Sequence, residues 1–339
     1  MSQMPGNTSD EGGDSVEYAS AYHAPVLCDV VVQGLVTNRD GLYVDATLGG
    51  GGHSAALLDQ LNEAGKVVGI DQDDDAIAVA RKRLSKDEQK GRLRVLRGNF
   101  SETPQLLSEI GVDKVDGLLL DLGVSSYQLN TAARGFSYAG KGDLDMRMDN
   151  RGGVTAADIV NDWTPEDLTQ LLWDYGEEPS ARRIVRKIVA ARPLLTTDAL
   201  AAVIRSSVSS NRINKTLARV FQALRIQVNE EMKVLEAVLH FSVDLIKPGG
   251  RIAVISYHSL EDRRVKRFLK YGNLDGKPVR DFYGHLVTPW RLTSRKVIKP
   301  DDHEINLNPR ARSARLRIAE RIQSAEDLSA VDRSEPTIS

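Results

Sequence analysis

The sequence predicts a doubly wound, Rossmann-like α/β fold: a parallel sheet with helices on both faces, plus an inserted helical domain. Three observations carry this expectation. Continuous Val/Ile/Leu-rich runs lie at 42–46, Lys66–Asp71, Leu93–Arg97, Val115–Asp121 and 251–256, as strands buried on both faces require. Helical periodicity separates the early runs, as over 73–84, where Ile77, Ala80 and Leu84 share a face. Between Asp121 and Arg251 the rhythm breaks for about 130 residues, far more than the few tens a βαβ crossover needs.

Residues 25–36 read as a lead-in helix with Pro25 in its first turn. The run at 42–46 leads into Gly49, Gly50, Gly51 and Gly52, then the helix-compatible His53 and Ser54. Glycine is needed where the backbone takes positive φ or touches a ligand, because a β-carbon would collide. Asp71 ends the next strand about 20 residues beyond the loop, where an acid suits the two hydroxyls of a ribose. A nucleoside-containing cofactor across the carboxyl edge of the sheet is the expectation. The dinucleotide pattern G-x-G-x-x-G closes on Ser54 or Ala55, which leaves NAD ambiguous, and no Gly-Lys-Ser/Thr ending marks a P-loop. S-adenosylmethionine has no phosphate to cradle and fits such a loop better. Asn99 and Phe100, after the third strand, supply an amide and an aromatic face for a purine.

Within the long gap, Thr164-Pro165-Glu166-Asp167 reads as a helix start, with proline at the first position and acids in the first turn. Further helices are expected over 180–191 and Thr197–Ser207, and one long amphipathic helix over 217–246 that stops at Lys247-Pro248-Gly249-Gly250. Residues 21–129 and 216–322 are expected to form the main domain and 130–215 the inserted helical one. Residues 1–20 and 323–339 read as polar, disordered tails.

The chain has 339 residues, 41% apolar and 27% charged, enough for one large or two modest domains. No apolar run approaches the ~20 residues needed to span a bilayer, and the start lacks the apolar core of a secretory leader. The single cysteine, Cys28, permits no internal disulfide and suits a reducing cytoplasm. Net charge is −2, yet Arg263 to Arg317 carry 15 Lys and Arg against 5 Asp and Glu. That local +10 is the footprint of a polyanion-binding face. The six histidines and the acids show no metal-ligand spacing, so no metal is expected.

Asp121 leaves the carboxyl end of the fourth strand, at the edge where ligands and reacting groups meet in open α/β sheets. A carboxylate there can accept hydrogen bonds from an amine being alkylated or from the cofactor. Cys28, in an apolar helical run, reads as a core residue rather than a nucleophile. His258, just past the 251–256 run, is open to two readings, a nucleotide contact or a structural hydrogen bond.

Several long motifs resemble the bacterial 16S rRNA cytosine-N4 methyltransferase family, in order over residues 22–322. They include Gly49 to Ser54, Asp121 to Gln128, Arg134-Gly135-Phe136-Ser137 and the run from Asp143 to Asp149. Phe221 to Asn229, Ser256 to Arg263 and Asn308 to Ser313 complete the set. The resemblance implies a Rossmann-like methyltransferase fold, S-adenosylmethionine as cofactor, and methylation of a cytidine N4 amine in the decoding region. It implies 16S rRNA, in an assembled small ribosomal subunit, as partner in the cytoplasm; a homodimer stays open. The family's cofactor contacts fall on Gly51, Gly52, His53, Asp71, Phe100, Asp121 and Gln128. Tyr127 and Asn130 stand where the family more often shows proline and aspartate, and Tyr257 where it commonly has phenylalanine. Two other classes compete: an NAD-dependent oxidoreductase on the same loop, and a non-catalytic rRNA-binding assembly factor. Pure binding would not require the glycine loop, Asp71 and Asp121.

Overall fold

The computed structural model describes residues 25–323. The tails expected over 1–20 and 323–339 lie outside these residues, Gln323 excepted. Seven strands form one sheet: β1 Leu42–Asp45, β2 Lys66–Asp71, β3 Leu93–Arg97, β4 Val115–Asp121, β5 Ile246–Ser256, β6 Trp290–Leu292 and β7 Arg315–Arg321. Their order is β3-β2-β1-β4-β5-β7-β6, with the first five parallel and β7 antiparallel to both of its neighbours. The strand order reverses between β1 and β4, the switch point at which doubly wound sheets bind ligands.

Burial explains the unbroken apolar strands. In β4, Leu119 packs with Val31, Leu35, Leu57 and Leu58 from helices Cys28–Leu35 and Gly52–Gln60 on one face. Leu118 and Leu120 pack on the other face with Leu235, Leu239, Val265 and Phe268, from helices Glu231–Leu245 and Ser259–Tyr271. From Val115 to Leu120 the central strand is buried on both faces, so polar alternation would bury unpaired groups.

A separate apolar cluster runs from Phe136 to Leu224. It joins helices Ala156–Asp162, Pro165–Asp174, Ala181–Ala190, Thr197–Ser207 and Ile213–Val228. Thr164 caps its helix as expected, accepting from the Asp167 N–H at 3.1 Å.

Three expectations need correction. The long helix over 217–246 is two helices, Ile213–Val228 and Glu231–Leu245, with Glu230 at φ 47° between them. Asn229 pins the break: its amide donates to Met146 O at 2.8 Å and accepts from Met148 N at 2.8 Å. Tertiary bonds thus outweigh a continuous helical pattern. The sheet is also not wholly parallel. β7 alternates Arg315, Leu316, Arg317, Ile318, burying the aliphatic residues while the arginines reach Asp262. Finally, the basic segment is not one free face. Arg263, Arg264, Arg291, Arg315 and Arg317 are paired with Glu177, Glu236, Glu320 and Asp262, all outside it.

Candidate active site

A cavity of about 580 Å³ opens at the carboxyl ends of β1, β2 and β4. That volume is ordinary for a small-molecule site. Its wall includes Gly49, Gly50, Gly52, His53, Asp71, Phe100, Asp121 and Gln128, so most of the residues expected from sequence at this edge converge there. Gly51 does not line it. With φ 76° it enters helix Gly52–Gln60, and a β-carbon there would lie 3.3 Å from that of Ala80 and 3.0 Å from Leu84. Close packing of the loop against Ala80 and Leu84 therefore requires glycine at Gly51.

Asp71 is locked in place. Its two oxygens accept the Gly49 N–H at 2.8 Å and the Asp73 N–H at 2.9 Å. A carboxylate oxygen has a second acceptor site, which leaves both available to vicinal hydroxyls. Burial, reinforced by the charges of Asp73 and Asp45, outweighs these bonds and pushes the Asp71 carboxyl up to about 6.

Asp121 sits at the end of β4 with 24% of its side chain exposed. Its Oδ1 accepts from the Tyr257 hydroxyl at 2.9 Å, and its Oδ2 lies 3.7 Å from His53 Nδ1. The opposite ring nitrogen of His53 is 3.0 Å from Val26 O, which orients the buried imidazole. Burial pushes the Asp121 carboxyl up to about 6; His53 and the Tyr257 hydrogen bond oppose the shift, while Asp45 and Glu261 add to it. The Tyr257 hydroxyl is the group absent from the phenylalanine common in the resembled family. Asp45, wholly buried, accepts from Ser54 Oγ at 2.7 Å and is also raised, chiefly by burial. Of these three acids Asp71 and Asp121 line the cavity, while Asp45 lies buried behind the loop.

Gln128 reaches the cavity wall, but its amide is already engaged. The oxygen accepts from Ser125 N at 2.9 Å and the nitrogen donates to Asp73 Oδ2 at 2.8 Å. Arg134 Nη1 meets the same Asp73 oxygen at 2.9 Å, and Arg134 Nη2 holds the carbonyls of Arg147 and Met148. Gln128 and Arg134 therefore clamp the chain after β4 to the turn that follows β2. His258 takes the structural reading: its Nδ1 caps helix Ser259–Tyr271 by accepting from Glu261 N, and Nε2 lies 3.0 Å from Glu261 Oε1. Sequence spacing missed the neighbouring cluster of Glu231, His258 and Glu261, whose ligand atoms lie within 4.8 Å of one another. Arg225 already holds Glu231 through two bonds of 2.7 and 2.8 Å, and Glu261 accepts the N–H groups of Tyr257 and His258. These acids are satisfied by protein donors, the arrangement of a buried ion-pair network.

The MraW methylase family model matches residues 20–322. The chain belongs to the MraW methylase family. A protein from Flavobacterium johnsoniae named ribosomal RNA small subunit methyltransferase H is 47% identical over 304 residues, 89% of this chain and 98% of that protein. One of the same name from Chlorobaculum parvum is 47% identical over 320 residues, 89% of this chain and 98% of its own. A crystal structure of an rRNA methylase from Streptococcus thermophilus aligns over 87% of this chain and 93% of its own, with 14% identity and a TM-score of 0.35. S-adenosylmethionine is the cofactor of this MraW methylase. The cavity fits it: an acid with free acceptor sites at the end of β2, an aromatic ring at Phe100, and an acidic wall for a cation.

Proposed function

We propose that this protein methylates the exocyclic N4 amine of a cytidine in the decoding region of 16S rRNA, within the small ribosomal subunit. The names of the curated relatives support an rRNA substrate of the small subunit. The observation that carries the chemistry is Asp121, a carboxylate oriented by Tyr257 on the wall shared with Asp71. In this reading Asp71, Phe100 and the backbone of Gly49, Gly50 and Gly52 hold the cofactor, with His53 behind them.

Bound S-adenosylmethionine supplies an electrophilic methyl group on a positively charged sulfur. The protein must make a poor nucleophile competent, because the N4 lone pair of cytosine is delocalised into its ring. A base must leave its stack to enter such a cavity. Asp121 then accepts a hydrogen bond from the N4 amine as positive charge develops on nitrogen, in a site with little water. Tyr257 holds the carboxylate in one orientation, and the carboxylate is the first acceptor for the departing proton. Cys28 offers no alternative nucleophile: burial, with Asp29 and Glu304 nearby, pushes its thiol up to about 12. The helices over 130–215 act as the substrate-recognition domain, enclosing unpaired RNA.

The test is mass spectrometry of small-subunit rRNA from cells with and without this gene. N4-methylcytidine should vanish from one decoding-region position in the deletion strain and return on complementation. Unchanged N4-methylcytidine, or loss of a carbon-5 or ribose methyl group instead, would refute the proposal.

A further inference from the structure

The segment between helix Ser259–Tyr271 and β6 has no part in the cavity, yet it carries an unusual surface. Residues 279–287 form a small hairpin. Val287 N donates to Val279 O at 2.8 Å, Asp281 N to His285 O at 3.0 Å, and Arg280 Nη1 to Gly284 O at 2.6 Å. Asp281 ties the tip by accepting from Tyr283 N at 2.9 Å and His285 N at 2.8 Å. On that tip, Phe282 is 97% exposed and Tyr283 81% exposed, the two most exposed large hydrophobic residues among those described. Their rings meet edge to face with centroids 5.6 Å apart, and the His285 ring lies 6.3 Å from Tyr283. A self-bonded turn that holds two aromatic rings in water is out of keeping with a surface that has no partner.

The surroundings select the partner. Lys266, Arg267, Lys270, Lys277 and Arg280 are exposed on the helix, the turn after it and the hairpin, against the acids Asp275 and Asp281. Arg267 packs on that turn, about 3 Å from where a β-carbon on Gly276 would stand. Aromatic rings among cations suit unpaired nucleic-acid bases, which stack on the rings while the backbone meets the positive charge. A protein groove would be met by an apolar surface without this charge.

The hairpin is also far from the cavity. β5 reaches the cavity edge at Ser256, paired with Arg315, whereas the chain leaving the hairpin enters β6 at Trp290, paired with Arg321. Trp290 thus lies level with the start of the paired stretch at Arg251, five residues back along β5, or roughly 17 Å at about 3.3 Å per residue. We infer that Phe282 and Tyr283 form a second RNA contact that stacks on unpaired bases remote from the target nucleotide. This rests on the rRNA reading above and adds to it: the substrate must be an RNA body large enough to reach both edges of the sheet. Two linked contacts raise affinity by effective concentration, without any change at the cavity.

The test uses the full chain and a long 16S rRNA transcript carrying 2-aminopurine at unpaired positions. Stacking on one ring is worth roughly fivefold to a hundredfold in affinity, so Phe282→Ala with Tyr283→Ala should weaken binding by about tenfold or more. Site-directed 2-aminopurine quenching should be lost at one unpaired position. Titration with S-adenosylmethionine should give the parental affinity, which establishes that the variant is folded. Phe282→Trp with Tyr283→Phe should bind like the parent, because stacking needs a ring and not a particular one. Alanine variants that bind the transcript as tightly as the parent overturn the proposal. So does full retention of transcript binding by Phe282→Leu with Tyr283→Leu, which would show that the contact does not depend on stacking rings. A parent that binds no rRNA at all would instead overturn the rRNA reading itself.

Discussion

Replacing Asp121 by asparagine separates chemistry from cofactor binding. The substitution keeps the shape and an oxygen for the Tyr257 hydroxyl, but removes the charge that faces His53 Nδ1 at 3.7 Å. If the carboxylate stabilises positive charge on the attacking amine, kcat should fall by roughly 10²–10³, the effect of removing one preorganised electrostatic partner. Cofactor affinity should change by less than about tenfold, since Asp71 is untouched. Single-turnover methylation of rRNA with saturating cofactor, beside calorimetric titration of cofactor alone, measures the two effects. The wild-type rate should also depend on pH. Only the ionised carboxylate carries the negative charge that stabilises the attacking amine and can take its proton, and its pKa stands at about 6, so activity rises through pH 6 to a plateau. The asparagine variant should lack that step. Tyr257→Phe should move the midpoint upward, because the lost hydrogen bond is one of the interactions holding the pKa down. Ionisation of the buried carboxylate has the opposite effect on stability: the raised folded pKa contributes stability below about pH 4 that is lost as pH rises through 6. At pH 7.5 the ligand-free Asp121→Asn protein should therefore be the more stable by ~1–2 kcal/mol. Equal losses in rate and cofactor affinity, or an unchanged rate, would refute the charge-stabilisation reasoning.

Three further outcomes follow from the same geometry. Asp71→Ala should weaken S-adenosylmethionine binding by about ten- to a hundredfold, roughly 1.5–3 kcal/mol, through loss of charged acceptors; unchanged calorimetric affinity would remove Asp71 from the cofactor site. Arg134→Ala should lower unfolding free energy in urea by ~3–5 kcal/mol, because Asp73, 4% exposed, would keep its charge without its cation. Cys28→Ser should methylate at close to the parental rate; a folded, cofactor-binding but inactive serine variant would overturn direct transfer to nitrogen.

Much of the site is legible in the amino-acid sequence because its logic is local. Gly49 to Gly52, Asp71 and Asp121 lie at strand ends, and strand ends can be read from apolar runs, so their convergence follows from parallel pairing alone. The packing demand on Gly51 is not legible, because Ala80 and Leu84, which crowd it, stand about 30 residues further along the chain. The engagement of Gln128 depends on Asp73, which stands 55 residues away. His258 has the position of a ligand along the chain, but Glu261 claims both its ring and its backbone N–H.

By itself the sequence determined the parallel half of the sheet, the cofactor loop and the acids that face it. Burial on both faces and the steric demands of tight turns write these into short stretches of chain. Only the tertiary structure decided the break at Asn229 and Glu230, the antiparallel strand hidden in the basic segment, and which cations are paired. Each turns on partners distant in the chain: Met146 and Met148 for Asn229, Asp262 for Arg315 and Arg317. A charge or a helical pattern declares what a residue can do; the neighbour that folding brings to it decides what it does.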